Sequence, residues 1–330
     1  MRIGIDCRLW NETGVGRYIR NLVTNLVQID NQNDYVLFMR TEDAIKFKVK
    51  SLKLKVRVVN TRWHTLEEQI KFPQILNKEN LDLVHFPYFS VPIFYNRPFV
   101  VTIHDLIINH FPTGRASTLP NPIYRLKLLA YKFILEKTAQ KAKKIIAVSN
   151  ATKKEIVDHL NVDSSKVVVT YEGVDSAMQN SKVKSENSKL QLKSQKYFLY
   201  VGNAYPHKNL ERLIQAFASL ISHFSSLNLV LVGKEDYFYK RLKKKVEQMS
   251  LSKNVIFMQN VTDEELSGLY QNALALVLPS LMEGFGLTAL EAMANKCLVL
   301  ASDIPSLREV CGDAAIYFDP NKLEDIVETM

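Results

Sequence analysis

Two carboxylates, Glu283 and Glu291, flank the glycines Gly284 and Gly286 in the stretch Ser-Leu-Met-Glu-Gly-Phe-Gly-Leu-Thr-Ala-Leu-Glu at 280–291. Leu276, Val277 and Leu278 read as the end of a buried strand, Pro279 to Gly286 as a turn and Leu287 to Asn295 as a helix. Glu283 therefore precedes the helix and Glu291 lies within it. Unpaired amide N–H groups and the positive end of the helix dipole gather near Phe285 to Thr288, which suits a phosphate or diphosphate. The two glycines let such a ligand approach. Eight helical steps cover at most ~12 Å, so the glutamates can hold hydroxyl groups on opposite sides of a bound diphosphate, the layout of a sugar nucleotide. A plain account competes evenly. An acid near a helix start complements the dipole, and Glu291 can be a solvated helix residue.

Three other strand-to-loop junctions carry chemistry-bearing residues. Arg2 to Asp6 reads as a buried strand, followed by Asn11-Glu-Thr-Gly-Val-Gly-Arg-Tyr18 and then by Ile19, Leu22, Val23 and Leu26 at helical spacing. A lone Gly14-Val-Gly16 serves tight turns as well as ligands. A dinucleotide fingerprint would need a third glycine where Ile19 stands, which disfavours a nicotinamide or flavin enzyme. Phe99-Val-Val-Thr-Ile-His104-Asp105 places a histidine at the carboxyl end of an apolar strand, where open α/β sheets bind ligands. A lone histidine is more often structural, and only that reading is given to His64, His85, His110, His159 and His223. Tyr197 to Asn209 is another strand, glycine turn and loop before a helix from Leu210 to about Ser222. Lys208 there opposes the helix dipole and so calls for a compensating partner or a phosphate.

Taken together, these segments resemble the retaining GT-B glycosyltransferases of family 4, and the likeness runs through nearly the whole chain. Glu283 and Glu291 stand at the two ends of that family's signature of a glutamate, seven residues and a second glutamate; His104 matches its strand-end His-Asp pair, and Val201-Gly202 followed by Lys208-Asn209 its phosphate-clamp motif. The resemblance implies an α/β architecture of GT-B type, two Rossmann-like domains whose parallel sheets face across a cleft. It also implies roles. Gly16 faces the donor diphosphate and the acceptor, His104 lies beside the donor sugar, and Lys208 clamps the diphosphate with the backbone of Gly284, Phe285, Gly286 and Leu287. Glu283 positions the sugar and Glu291 holds the ribose. Asn203 replaces an arginine common in relatives, which removes one of two cations but leaves a hydrogen-bond donor. Gln259 stands where a glycine is common, leaving the nucleotide base open, and Glu172 replaces the asparagine of an Asn-Gly-Val-Asp element.

Further elements read as scaffold: strands at Asn228 to Val232, Val255 to Met258, Leu298 to Ala301 and Ile316 to Phe318, a helix start capped by Thr262, and a short helix from Pro305 to Val310. At 330 residues the chain fits two domains. They are expected at 1–175 on the acceptor side and 197–330 on the donor side, with residues 176–196, rich in Ser, Lys, Asn and Gln, as an exposed hinge. Family members continue into a helix that crosses back onto the first domain, so the end at Met330 reads as early.

Charge is uneven. Residues 1–196 hold 31 Lys and Arg against 18 Asp and Glu, whereas 197–330 hold 12 against 16. Much of the excess lies in Arg125 to Lys144, where Leu126, Leu129, Ala130, Phe133 and Ile134 alternate with cations. A solvated helix face and contact with an anionic membrane explain this equally well. Nucleic acid is disfavoured because no reading module accompanies the charge. The absence of a long apolar run or charged leader, with three cysteines in no metal or disulfide spacing, points to the cytoplasm, with peripheral contact at its membrane face.

The reading is therefore a retaining, metal-independent hexosyltransferase without cofactor that moves a sugar from a GDP-mannose or UDP-glucose type donor to a glycan or lipid-linked acceptor. No Asp-x-Asp pair offers metal ligands. Two alternatives stay open: another GT-B enzyme such as a phosphorylase or sugar-nucleotide epimerase, and a non-catalytic protein that binds sugar nucleotides or glycans.

Overall fold

The computed structural model describes residues 1–12, 14–49, 52–112, 121–174 and 195–330. Most of the expected hinge, 176–194, lies outside them. Among the described residues, 1–106 and 121–172 form one compact unit, and 107–112, 173–174 and 195–330 form a second.

In the N-terminal unit, short apolar runs alternate with helices, the pattern that builds parallel sheets. Its elements in order are β1 (Arg2–Asp6), α1 (Gly14–Ile29), β2 (Asp34–Met39), α2 (Thr41–Lys46), β3 (Leu54–Val58), α3 (Leu66–Asn77), β4 (Leu83–Phe86) and β5 (Phe99–Ile103). A short helix α4 (Ile107–His110), which belongs to the second unit, precedes α5 (Asn121–Lys141), β6 (Lys144–Ala147), α6 (Asn150–Leu160) and β7 (Val167–Val169). The seven strands are parallel in the order β3-β2-β1-β4-β5-β6-β7. Helices cover both faces, so β2 is buried on both: Val36 and Phe38 pack with Phe72 and Leu76 of α3, while Leu37 and Met39 pack with Ile19 and Val23 of α1.

The second unit repeats the plan with β8 (Tyr197–Val201), α7 (Leu210–Ile221), β9 (Asn228–Val232), α8 (Tyr237–Gln248), β10 (Val255–Met258), α9 (Asp263–Asn272) and β11 (Ala275–Leu278). It ends with α10 (Leu287–Ala294), β12 (Val299–Ser302), α11 (Pro305–Cys311), β13 (Ala315–Phe318) and α12 (Leu323–Thr329). The six strands are parallel in the order β10-β9-β8-β11-β12-β13. Phe198 and Tyr200 face a core shared with α7 and α8, whereas Tyr197 and Leu199 face one shared with α9, α10 and α11.

In each sheet the order reverses once, between β1 and β4 and between β8 and β11, and such switch points are where open α/β sheets bind ligands. Several boundaries differ from the sequence reading, among them the following three. The helix after β1 begins at Gly14, so Gly16 is helical; a Cβ there would sit 2.7 Å from the Trp10 carbonyl and 2.8 Å from that of Leu9, so glycine permits the helix to press on the preceding turn. The basic helix ends at Lys141, and Lys144 opens β6, where its backbone joins the sheet ladder with Val100. β12 begins at Val299, one residue late.

Candidate active site

At the switch point of the second unit, the turn after β8 and the turn after β11 are tied together. Gly202 has φ near +152°, and its missing Cβ leaves room for the Tyr200 hydroxyl, which donates to the Asn203 carbonyl at 2.7 Å. Asn203 is exposed, and its side-chain oxygen accepts from the Tyr205 amide at 3.2 Å. A 3₁₀ turn over Pro206–Lys208 then ends at Asn209, whose left-handed φ of 57° suits asparagine. Asn209 and Arg212 both donate to the Pro320 carbonyl, which fixes this turn from behind. The Leu281 amide donates to the His207 carbonyl at 2.7 Å and joins the two turns.

The outcome is an ion pair between residues 75 positions apart. Lys208 Nζ lies 2.6 Å from Glu283 Oε1 and 2.7 Å from Oε2, and the Ser280 hydroxyl donates to Oε1 at 2.6 Å. Burial pushes the Glu283 carboxyl up, but the Lys208 charge, its hydrogen bonds and Ser280 outweigh this and leave it below the usual carboxylate range. His207, buried beside the same cation, is pushed down to about 4, first by desolvation and then by Lys208, with Glu283 opposing. An ammonium has three N–H donors. Two point at Glu283, which leaves the third outside this pair.

Behind Glu283 the helix α10 starts at Gly286, with φ of 101° and no side chain capping the first turn. A Cβ at Gly286 would lie 2.5 Å from Leu307 Cδ2. The Leu287 and Thr288 amides thus open the helix at the carboxyl end of β11, next to Gly284 and the buried Phe285. Glu291 lies in the second turn of α10 and is only 3% exposed, where it accepts from the Tyr270 hydroxyl at 3.2 Å. Neighbouring turns are tied as well: the Gln259 side chain donates to Glu235 at 2.8 Å, linking the loops after β10 and β9.

In the N-terminal unit, His104 follows β5 and is half-buried. Its Nδ1 is 3.2 Å from Glu172 Oε1, its Nε2 is 2.9 Å from the Pro87 carbonyl, and the Tyr18 ring meets it edge-on at 4.9 Å. Burial lowers its affinity for a proton, and Glu172 first, then the Pro87 carbonyl and Asp105, reverse that and raise it above the ordinary histidine value. Gly16 lies in the first turn of α1, which follows β1 in the same unit.

The structure thus places Asn203, Lys208, Glu283, Gly284, Phe285, Gly286, Leu287 and Glu291 on the switch-point side of one sheet, and Gly16 and His104 in the other unit. Sequence reasoning assigned no part to Ser280, the His207 carbonyl or the Glu172–His104 contact. The Ser280-x-x-Glu283 spacing carried the signal for the first. Nothing local carried it for the others.

Known proteins resemble this chain in sequence and in fold. The Glycosyltransferase Family 4 profile matches residues 13–177, and the profile for glycosyl transferases group 1 matches 182–330. The chain is 32% identical over 275 residues to the O-antigen chain mannosyltransferase RfbU of Salmonella typhimurium, covering 83% of this chain and 69% of that protein. It is 32% identical over 248 residues to the O-antigen chain mannosyltransferase B of Escherichia coli, covering 74% and 63%. Among solved structures, sucrose-phosphate synthase from Thermosynechococcus elongatus superposes with a TM-score of 0.76 at 19% identity, over 100% of this chain and 88% of that one, a likeness of fold. With two parallel Rossmann-like sheets of GT-B type and both profiles matched in order along it, the chain belongs to glycosyltransferase family 4.

Proposed function

We propose that this glycosyltransferase is a retaining, metal-independent mannosyltransferase that moves mannose from GDP-mannose to a glycan or lipid-linked acceptor. The observation that carries the reading is the Lys208–Glu283 pair beside the uncapped start of α10. In this reading the C-terminal unit holds the nucleotide-sugar diphosphate through the third N–H of Lys208 and the Leu287 and Thr288 amides, and these groups meet the charge that a metal would otherwise balance. Glu283 orients the sugar hydroxyls. The acceptor oxygen bonds to the anomeric carbon as its bond to the diphosphate breaks, and the electron pair and the hydroxyl proton leave with the diphosphate. Groups aimed at that developing charge act without reorganisation. Glu291 serves the ribose, after exchanging its Tyr270 contact. Mannose rather than glucose is favoured because two relatives at 32% identity are named as mannosyltransferases. The test is thermal-shift screening with GDP-mannose, UDP-glucose and other sugar nucleotides, followed by nucleoside-diphosphate release with acceptor and NMR of the product anomer. GDP-mannose is expected to stabilise and turn over with retention; failure of every sugar nucleotide to do either rejects the reading.

A peripheral membrane contact on the cytoplasmic face accompanies this function. On α5 the inner face is Leu135, Thr138 and Ala139, all buried, and the opposite face is apolar yet open: Leu126, Leu129 and Phe133 are 68%, 65% and 52% exposed. Arg125 and Lys132 flank that stripe on one side and Lys127 on the other. An apolar stripe bordered by cations matches an anionic bilayer surface, where each nearby cation contributes roughly 1 kcal/mol. Among the described residues no helix is long and apolar enough to cross a membrane.

A further inference from the structure

The contact between His104 and Glu172 joins residues 68 positions apart, and no motif pairs them. Both ring nitrogens face acceptors, the Glu172 carboxylate and the Pro87 carbonyl. A neutral imidazole carries a single N–H and would turn a lone pair toward one of the two, whereas the imidazolium satisfies both. The ring is also held mechanically. Tyr18 of α1 packs edge-on against it, and the Thr152 hydroxyl of α6 donates to the His104 carbonyl at 3.4 Å. Asp105 adjoins the ring in sequence, the Tyr18 phenol packs against it, and His85 of β4 senses its charge. His85 is fully packed, bonded to Thr102 at 2.8 Å and pushed down to about 4 by burial and then by His104, so it is neutral near pH 7. Glu172 places a carboxyl oxygen in direct contact with the imidazole.

We propose that Glu172 is a positioning residue for the transfer reaction, fixing the His104 ring and keeping both its nitrogens protonated so that the N-terminal unit offers a cation of set orientation. The role of that cation rests on the family reading, in which His104 lies beside the donor sugar; the contact with Glu172 is read from the geometry here. Where Glu172 stands, the family element carries asparagine, which can hydrogen-bond the ring but brings no charge. A charge-assisted bond is shorter and stronger than a neutral one, so this chain holds its histidine protonated to higher pH than an asparagine at the same place would. Rate then falls on the alkaline side when His104 finally loses its proton.

The test follows the imidazole itself and the rate side by side. Histidine-labelled protein is titrated by NMR from pH 5 to 9.5 as wild type, Glu172→Gln and Glu172→Asp, with the His104 signal assigned by its loss in His104→Asn. Glu172→Gln is expected to move the His104 midpoint to lower pH and to lower kcat at pH 8.5 by roughly tenfold or more, the scale of one lost charge-assisted bond. KM for the donor should change little, and Glu172→Asp should recover part of both effects. An unchanged midpoint overturns the proposal, and so does a moved midpoint with an unmoved pH–rate profile. If no sugar nucleotide turns over at all, the transferase reading fails, and the titration by itself still decides whether Glu172 holds the proton.

Discussion

The molecule contains two cation–carboxylate pairs of nearly equal exposure: 16% and 13% for Lys208 and Glu283, 15% and 13% for His104 and Glu172. Burial is thus matched, and chemistry separates them. In the first pair the Glu283 carboxyl is held below the usual carboxylate range and is the group that acid reaches, whereas in the second His104 is itself the group that titrates. The C-terminal pair is weakened by acid and the N-terminal pair by alkali. Two equally buried contacts can therefore define opposite ends of a pH window.

The largest expected effect tests the C-terminal pair. Lys208→Ala and Glu283→Ala should each lower kcat about 100 to 1000-fold, the scale for removing a preorganised contact, with unchanged circular dichroism. Near-normal turnover in both folded variants would show that the pair holds the fold rather than the donor. Next comes Gly286→Ala, which places a Cβ against Leu307 at a left-handed φ. It should cost ~1–3 kcal/mol, read as a lower urea midpoint, and should weaken donor binding because the start of α10 shifts.

A smaller effect separates the pairs by pH. His104 has its folded proton affinity raised, so its contribution to stability is complete below the unfolded value of about 6.5 and is lost as pH rises through the folded value. Glu283 is lowered, so its contribution is present above about 4.3 and is lost as pH falls through the folded value. Urea unfolding of wild type between pH 6 and 9 should show an alkaline decline that Glu172→Gln flattens and Glu283→Gln leaves in place. An identical decline in all three proteins would remove the distinction. The smallest effect on catalysis lies outside both pairs. Leu126→Glu with Leu129→Glu should abolish flotation with anionic vesicles at low salt and leave turnover of a soluble acceptor unchanged; retained flotation would remove the membrane contact.

Local pattern made much of this legible. β1, β5, β8, β9 and β10 announce themselves as short apolar, β-branched runs, and α7 by Leu210, Leu213, Ile214 and Phe217 at helical spacing. Thr262 and Glu265 form the capping box that the acidic first turn foretells. The strand, turn and helix around Glu283 is equally contiguous, since its parts lie within some twenty residues. The start of α1 was less legible, because two glycines read as a loop until the carbonyls of Leu9 and Trp10 show why a helix needs Gly16 there.

By itself the sequence determined the alternating strand and helix plan, the strand-end location of His104, Lys208 and Glu283, and the glycine that opens α10. These follow from periodicity and backbone freedom, which act between near neighbours. Only the tertiary structure decided which charges meet. Strand order brings β8 beside β11 and so sets Lys208 on Glu283 across 75 positions, and the fold of the first sheet carries Glu172 to His104 across 68. Ion pairing acts through space over a few ångströms, and that proximity is written into the order of the strands rather than into any single stretch of chain.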